Sequence, residues 1–311
     1  MKILVVGGCG YIGGYLVDLL KKNHKVTVYD NLLYESKFLK EVNFVYRDVR
    51  DTKLLKKIIN KFDIIVWLAA LVGDGACSIN TKKTFEINTK SIKWLCENYK
   101  KGKIIFTSTC SIYGKNNSMI NEDTKPNPLS AYAKSKLNAE KYIVSRKKNF
   151  LIIRLGTLFG IGDRFSRLRL DLVANILTTK SMKGETLQVF GGSQWRPLLH
   201  VKDVSYAIDF FIKKKINGTF NLAYKNFKII EIAESIQKFN PNTKIRKVKQ
   251  KFQDQRNYKI DNAKVKKTGW KNKYKLIDGI KEIYNIISDK RIKDINEDVY
   301  YNHKYLENKF K

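Results

Sequence analysis

The chain has 311 residues, 43% of them hydrophobic, enough to bury the core of one large α/β unit or of a large domain with a small one, and too apolar for global disorder. Sixty-one Lys and Arg against 29 Asp and Glu give a formal net charge of +32, the sign a nucleic-acid partner would require. The lysines are nevertheless spread evenly among Asn and Ile, with no basic block interleaved with aromatics, so the charge reads as compositional bias that suits an anionic small substrate better than a nucleic acid.

The opening "MKILVVGG" is too short an apolar run for a signal peptide, and the longest such stretch, "DIIVWLAALVG", falls far short of the roughly 20 residues of a membrane helix. A soluble, cytoplasmic protein with no membrane partner is therefore expected. Cys9, Cys77, Cys96 and Cys110 are widely spaced and only three histidines are present, so neither a disulfide framework nor a metal site is expected.

Residues 2–6 read as a short buried strand, followed by "GGCGYIGG" and then by "YLVDLLKKN" with apolar residues at helical spacing. The next strand, "KVTVYD", ends in Asp30, 20 residues after Gly10. A glycine loop between strand and helix, with an acid at the end of the following strand, is the context of a dinucleotide fingerprint. The glycines fit two frames, Gly7-x-x-Gly10-x-x-Gly13 and Gly8-x-Gly10-x-x-Gly13. Glycine lets the backbone approach a pyrophosphate, and the helix N-terminus supplies N–H donors. Asp30 suits the adenosine ribose hydroxyls and would repel a 2′-phosphate, which favours NAD over NADP.

The strand–helix rhythm continues. "VNFVYRDV" reads as a strand with Asp48 at its end, "DTKLLKKIIN" as a helix, and "FDIIVWLAA" as a strand. A loop, "LVGDGACS", precedes a long helix from about Thr81 to Tyr99, and "KGKIIFTSTC" carries the next strand into "STCSIYG". Repeated βα units with apolar strands imply an α/β, Rossmann-type doubly wound parallel sheet, whose ligands bind at the carboxyl ends of the strands. The glycine loop, "LAALVG" and "STCSIYG" all fall at such ends. In "NPLSAYAKSKLNAEKYIV", Tyr132 and Lys136 are four apart and share one helix face. An ammonium beside a phenol favours phenolate, so the pair is expected to move a proton near neutral pH. Thr109 or Ser108 can hold the substrate oxygen.

The glycine loop, Asp30, "STCSIYG", "YAKSK", "RPLLHVKDV" and "DQRNYKIDNAKVKKTGW" together resemble the extended short-chain dehydrogenase/reductase superfamily, in its epimerase/dehydratase branch, from residue 1 to about 272. The resemblance implies Tyr132 as general base, Lys136 as the group that holds the nicotinamide ribose, and Thr109 as the hydroxyl on the reacting oxygen. It places Gly7, Gly10, Tyr11, Ile12, Gly13, Asp30, Asn31, Asp48, Val49, Leu68, Ala69, Ala70, Asn88 and Thr107 with Tyr132 and Lys136 against NAD. It assigns Cys110, Ser111, Thr157, Arg169, Arg196 and Arg256 to the substrate, with the arginine at 196 on the diphosphate of a nucleotide sugar. Tyr113 is expected to pack or to line the substrate pocket, Asp74 to touch substrate or shape its loop, and His200 to be structural. Residues 1–163 plus about 195–222 would form the NAD-binding domain, and 164–194 plus 223–311 a smaller mixed α/β substrate domain with a C-terminal tail. A homodimer through the helices of Tyr132 and of residues 81–99 is implied.

In sugar-nucleotide 4,6-dehydratases of this branch the residues after the threonine are Asp and Glu; here they are Cys110 and Ser111. Neither serves as an acid/base pair at neutral pH, so dehydration is disfavoured. What remains is hydride chemistry at C4: net oxidation to a 4-keto sugar, placed first, or 4-epimerisation. "WLAALVGDGACS", "STCSIYG" and "DQRNYKID" are similar to bacterial surface-polysaccharide enzymes, among them C4 dehydrogenases of GDP-manno-heptose. The readings from other classes are a non-catalytic NAD(H)-sensing regulator, whose relatives usually lose the Tyr/Lys pair kept here, and a nucleic-acid-binding protein, which rests on charge alone.

Overall fold

The computed structural model describes residues 1–35, 38–163, 167–248, 257–292 and 294–310. Its strands are β1 (Lys2–Val6), β2 (Lys25–Asp30), β3 (Asn43–Tyr46), β4 (Ile64–Trp67), β5 (Lys103–Thr109), β6 (Lys115–Ile120), β7 (Phe150–Leu155), β8 (Thr157–Phe159), β9 (Leu187–Phe190), β10 (Trp195–His200), β11 (Gly218–Leu222), β12 (Lys225–Lys228), β13 (Ile245–Val248) and β14 (Asn257–Ile260). Its helices are α1 (Gly13–Leu20), α2 (Thr52–Ile58), α3 (Asp74–Ile79), α4 (Thr81–Phe85), α5 (Ser91–Asn98), α6 (Ala131–Arg146), α7 (Val173–Met182), α8 (Val201–Lys213), α9 (Ile229–Phe239), α10 (Ala263–Lys267), α11 (Leu276–Ser288) and α12 (Asn302–Phe310).

Seven strands form one parallel sheet in the order β11-β7-β5-β4-β1-β2-β3. The continuous apolar runs follow from burial on both faces, as in other parallel sheets. In β1, Ile3 and Val5 pack with Leu16, Val17 and Leu20 of α1 and Phe211 of α8, while Leu4 and Val6 pack with Leu55 of α2, Leu95 of α5 and Ile143 of α6. The chain winds outward from β1 to β2 and β3, then returns to place β4 on the other side of β1. That reversal opens a crevice at the carboxyl ends of β1 and β4.

Smaller mixed sheets carry much of the second half: β12-β10-β8, β13-β9 and β14-β6. Leu187, Val189 and Leu198 pack there with Ile232 and Ile236 of α9 and Ile280 of α11. Among the described residues no helix is long and apolar enough to cross a membrane.

Two local expectations are revised. "LVGDGACS" is not all loop: Gly73, at φ 100, turns the chain into α3. The helix expected over 81–99 is α4 and α5 joined by a π-type turn at Glu86–Lys90, with the Asn80 side chain accepting from the Lys83 N–H at 2.9 Å to start it. The tail beyond 289 closes with α12, whose Leu306 is fully buried in the same core as Leu55 and Leu95.

Candidate active site

At Gly7 and Gly13 the glycine loop is packed so tightly that a side chain would not fit. A Cβ on Gly7, which sits at φ +83, would lie 2.5 Å from the Ala69 nitrogen, and one on Gly13 would lie 2.6 Å from the Gly7 carbonyl oxygen. This brings the start of α1 against the loop, with Gly10, Tyr11 and Ile12 on the wall of a large cavity. The Asp30 carboxylate, at the end of β2, accepts from the backbone N–H groups of Cys9 at 2.9 Å and Leu32 at 2.8 Å. Burial raises its pKa and these bonds pull it back. Asp48 accepts three bonds from Arg50, two from the guanidinium (2.8 and 3.0 Å) and one from the backbone N–H (2.9 Å), and one from Asn31 Nδ2 at 3.0 Å. Burial pushes Asp48 up, but the Arg50 bonds outweigh it and leave the carboxyl below its ordinary range. A loop closed to a Cβ at Gly7 and Gly13, a helix N-terminus and a fixed acid at the ribose end fit a dinucleotide.

Thr109 ends β5 in the cavity wall, and its Oγ1 accepts the Ser111 N–H at 3.1 Å, starting the 3-10 turn that follows. Ser130 caps α6 through the Ala133 N–H at 3.1 Å, which sets Tyr132 in the first turn and Lys136 one turn on. The Thr109 hydroxyl stands close enough to the Tyr132 phenol to lower its pKa. Thr109 is therefore the hydroxyl that acts on the tyrosine, whereas the Ser108 Oγ is buried with no hydrogen-bond partner among the described residues. Lys136 is 2% exposed, forms no ion pair among the described residues, and holds its ammonium 4.1 Å from the Phe106 ring centroid.

The electrostatics correct one expectation. Burial pushes the Tyr132 phenol well above its usual range, with Cys77 adding to the rise and Thr109 opposing it. Burial also lowers Lys136 to about 7. In this enclosed site loss of water outweighs any help the cation gives the phenolate.

Behind the site, the π-type turn presents Asn88 and Thr89 to α6. Asn88 Oδ1 accepts from the Leu71 N–H at 2.8 Å, and its Nδ2 donates to the Leu71 carbonyl (2.9 Å) and to Ser135 Oγ (3.0 Å). Ser135 Oγ donates in turn to the Tyr132 carbonyl at 2.7 Å. Asp74 accepts from Ser130 Oγ at 2.7 Å, so it ties α3 to the head of α6.

Gly7, Gly10, Tyr11, Ile12, Gly13, Asp30, Asn31, Asp48, Val49, Leu68, Ala69, Ala70, Thr107, Thr109, Ser111, Tyr132, Lys136, Thr157 and Arg169 line the one cavity. Three expectations differ. Asn88 lies behind the wall, where it positions Leu71. Cys110 is not on the wall: the 3-10 turn sends it into a cluster with Ile112, Tyr113 and Ile120, its Sγ 3.3 Å from the Arg154 carbonyl. Arg196 is buried off the wall and donates to the Trp195 carbonyl at 2.8 Å. Arg256 lies outside the described residues. Tyr113 packs, its hydroxyl donating to Asn221 Oδ1 at 2.9 Å and accepting from Arg154 at 2.7 Å. His200 is buried against Glu282 at 2.9 Å.

The wall also holds residues that no spacing rule singles out: Tyr34, Glu35, Arg167 and Tyr258. The Tyr258 hydroxyl is 3.5 Å from Ser111 Oγ, bringing the second half of the chain onto the Thr109 turn. The one signal in the sequence is the scarcity of arginine in a lysine-rich chain, against which Arg167 and Arg169 stand out.

The crevice thus lies at the switch point of a doubly wound sheet, with a Thr/Tyr/Lys set beside a glycine loop. The model of the "NAD dependent epimerase/dehydratase family" matches residues 3–223, and the chain belongs to that NAD-dependent family. It is similar to a dTDP-D-glucose 4,6-dehydratase of Dictyostelium discoideum, 30% identical over 76% of this chain but spanning only 61% of that protein. It is also similar to a putative UDP-glucose 4-epimerase of Methanocaldococcus jannaschii, 29% identical over 91% of this chain and 97% of that one. The UDP-glucuronic acid 4-epimerase of Bacillus cereus, solved in complex with UDP-glucuronic acid and NAD, shares the fold at a TM-score of 0.80 and 24% identity over 93% of this chain and 99% of its own.

Proposed function

We propose that this protein is a nucleoside-diphosphate-sugar 4-epimerase that uses Tyr132, Thr109 and Lys136. The carrying observation is the placement of acids. The cavity wall holds three carboxylates among the described residues, Asp30, Glu35 and Asp48, and all belong to the β2–β3 side. Beside Thr109 the chain offers Cys110, turned into the core, and Ser111. Elimination of water needs a general acid and base next to the reacting carbons, and among the described residues the wall beside Thr109 holds no carboxylate to supply them.

Bound NAD supplies a hydride acceptor that returns the hydride. Tyr132 takes the proton of the C4 hydroxyl and gives it back. Thr109, beside the phenol, fixes the sugar oxygen in line with it. Lys136 supplies positive charge under the site whenever it is protonated, which at a pKa of about 7 is a matter of local balance. Net oxidation, placed first on the sequence alone, uses the same three groups. The M. jannaschii relative, whose length the chain nearly spans, is named for epimerisation and supports that choice. The Dictyostelium relative is named for dehydration and matches over a smaller share, while this chain lacks the flanking carboxylates. The reading adopted here names no heptose.

The test is incubation of the holoenzyme with UDP-glucose and no external oxidant, followed by NMR and mass. The expected product is inverted at C4 with unchanged mass. Tyr132→Phe should cut the rate by about 10²–10⁴ while NAD stays bound. A product lighter by one water, or a Tyr132→Phe rate equal to wild type, would overturn the reading.

A further inference from the structure

Arg167 sits in the loop after β8, far in sequence from the glycine loop, yet it lines the same cavity. Its guanidinium lies 4.0 Å from the centroid of the Tyr34 ring, four residues beyond Asp30, the acid at the ribose end of the cradle. Its backbone N–H donates to Glu35 Oε1 at 3.0 Å, which ties the loop to the segment after β2.

The side chain's hydrogen bonds all go to neutral oxygens of the C-terminal tail. Nη1 donates to the Val299 carbonyl at 2.6 Å, and Nη2 donates to Asn302 Oδ1. It forms no ion pair among the described residues. Arg169, two residues on, is held by Asp171 through two bonds (2.7 and 2.9 Å) and is already compensated. A partly buried cation aimed at a cavity, held by neutral acceptors and left without a carboxylate, is arranged for an anion that arrives with the ligand.

The tail is built to keep it there. Asn302 is 1% exposed, and its Nδ2 donates to the Val72 carbonyl at 3.0 Å, on the loop after β4 that forms another part of the wall. Tyr305 packs against Tyr34 with ring centroids 5.3 Å apart, and Leu306 is fully buried. One helical turn of α12 therefore grips the segments after β2, β4 and β8.

We propose that Arg167 is the counter-charge to the diphosphate of the bound dinucleotide, and that the C-terminal tail, through Asn302, is a positioning part of the cofactor site. The inference rests on the NAD dependence of the family and is independent of the choice between epimerisation and oxidation. A diphosphate also occurs in a nucleotide sugar, so the test separates the two sources. The rate at which bound NADH leaves the full-length holoenzyme is read by fluorescence on chasing with excess NAD. Binding of UDP-glucose is read by calorimetry on the NAD-loaded protein. Arg167→Met should speed NADH release roughly tenfold or more, with Arg167→Lys between it and wild type. UDP-glucose affinity should stay within about twofold. Asn302→Ala should speed release in the same direction, and adding it to Arg167→Met should add little, because both act on one contact. The nucleotide-free form of Arg167→Met should melt no lower than wild type, since an uncompensated cation has been removed.

The proposal is overturned if NADH release is unchanged in both Arg167 variants, or if UDP-glucose binding weakens instead. It is also overturned if Arg167→Met and Arg167→Lys lower the nucleotide-free melting temperature equally and speed release equally, because that pattern marks a residue that only holds the fold.

Discussion

At the scale of single residues, the site depends on where water is excluded. The spacing of Tyr132 and Lys136 places both on one face of α6, as a four-residue interval requires. The interval says nothing about burial, and burial reverses the expected direction of the tyrosine shift. A lysine at about 7 in the folded protein and at its ordinary 10.5 in the unfolded chain has a consequence for stability. Between those values the unfolded chain binds more protons, so this group makes the protein more stable as pH rises. Its burial penalty is largest below 7 and is relieved above it. The buried thiols act in the opposite direction above the ordinary thiol value of 9.0, so the useful window is about pH 7 to 8.5. In the nucleotide-free protein, the stability of wild type relative to Lys136→Met should rise across that window by at most about 1.4 kcal/mol per pH unit. Equal differences at both pH values, measured by urea unfolding, would show that Lys136 keeps an ordinary pKa.

At the scale of elements, the site is the meeting of α6, the π-type turn between α4 and α5, and the loop after β4. Insertion of a π turn widens the helix and commonly marks a functional position. Here it brings Asn88 to three bonds that connect Leu71, on the cavity wall, with Ser135 of the catalytic helix. Asn88→Leu keeps the volume but leaves the Leu71 N–H without a partner and the Leu71 carbonyl with the Cys77 thiol alone, so a loss of roughly 1–3 kcal/mol in unfolding free energy is expected. A loss below about 0.5 kcal/mol by urea unfolding would show that the network does not bear on the wall. The apolar run and the glycine loop made β1, α1 and β2 legible in sequence. The π turn was not legible, because helical spacing persists through it and only the tertiary demand of Ser135 separates it from a plain helix. Nor was α3, a short segment started by Gly73 and fixed by Ser130 through Asp74. Cys110 shows the same limit: the residue after a strand end follows the turn, and the turn sends it to Ile112 and Tyr113 rather than to the cavity.

At the scale of the whole molecule, the sheet order and the position of the crevice follow from the alternation of apolar strands and amphipathic helices, both readable along the chain. Contacts between distant segments were not. Arg167 meets residues 132 and 135 positions away, in the tail, and Tyr258 meets Ser111 across 147. No local pattern reports such contacts, since they depend on how the second half folds back over the first. The central claim is that one enclosed site takes a hydride from C4 and returns it to the same carbon without eliminating water. The most direct test uses UDP-glucose deuterated at C4, supplied to the holoenzyme without external cofactor. The account predicts a C4-inverted product that retains the deuterium at C4. Deuterium released into free NADH with a 4-keto product, or a product lighter by one water, would contradict it.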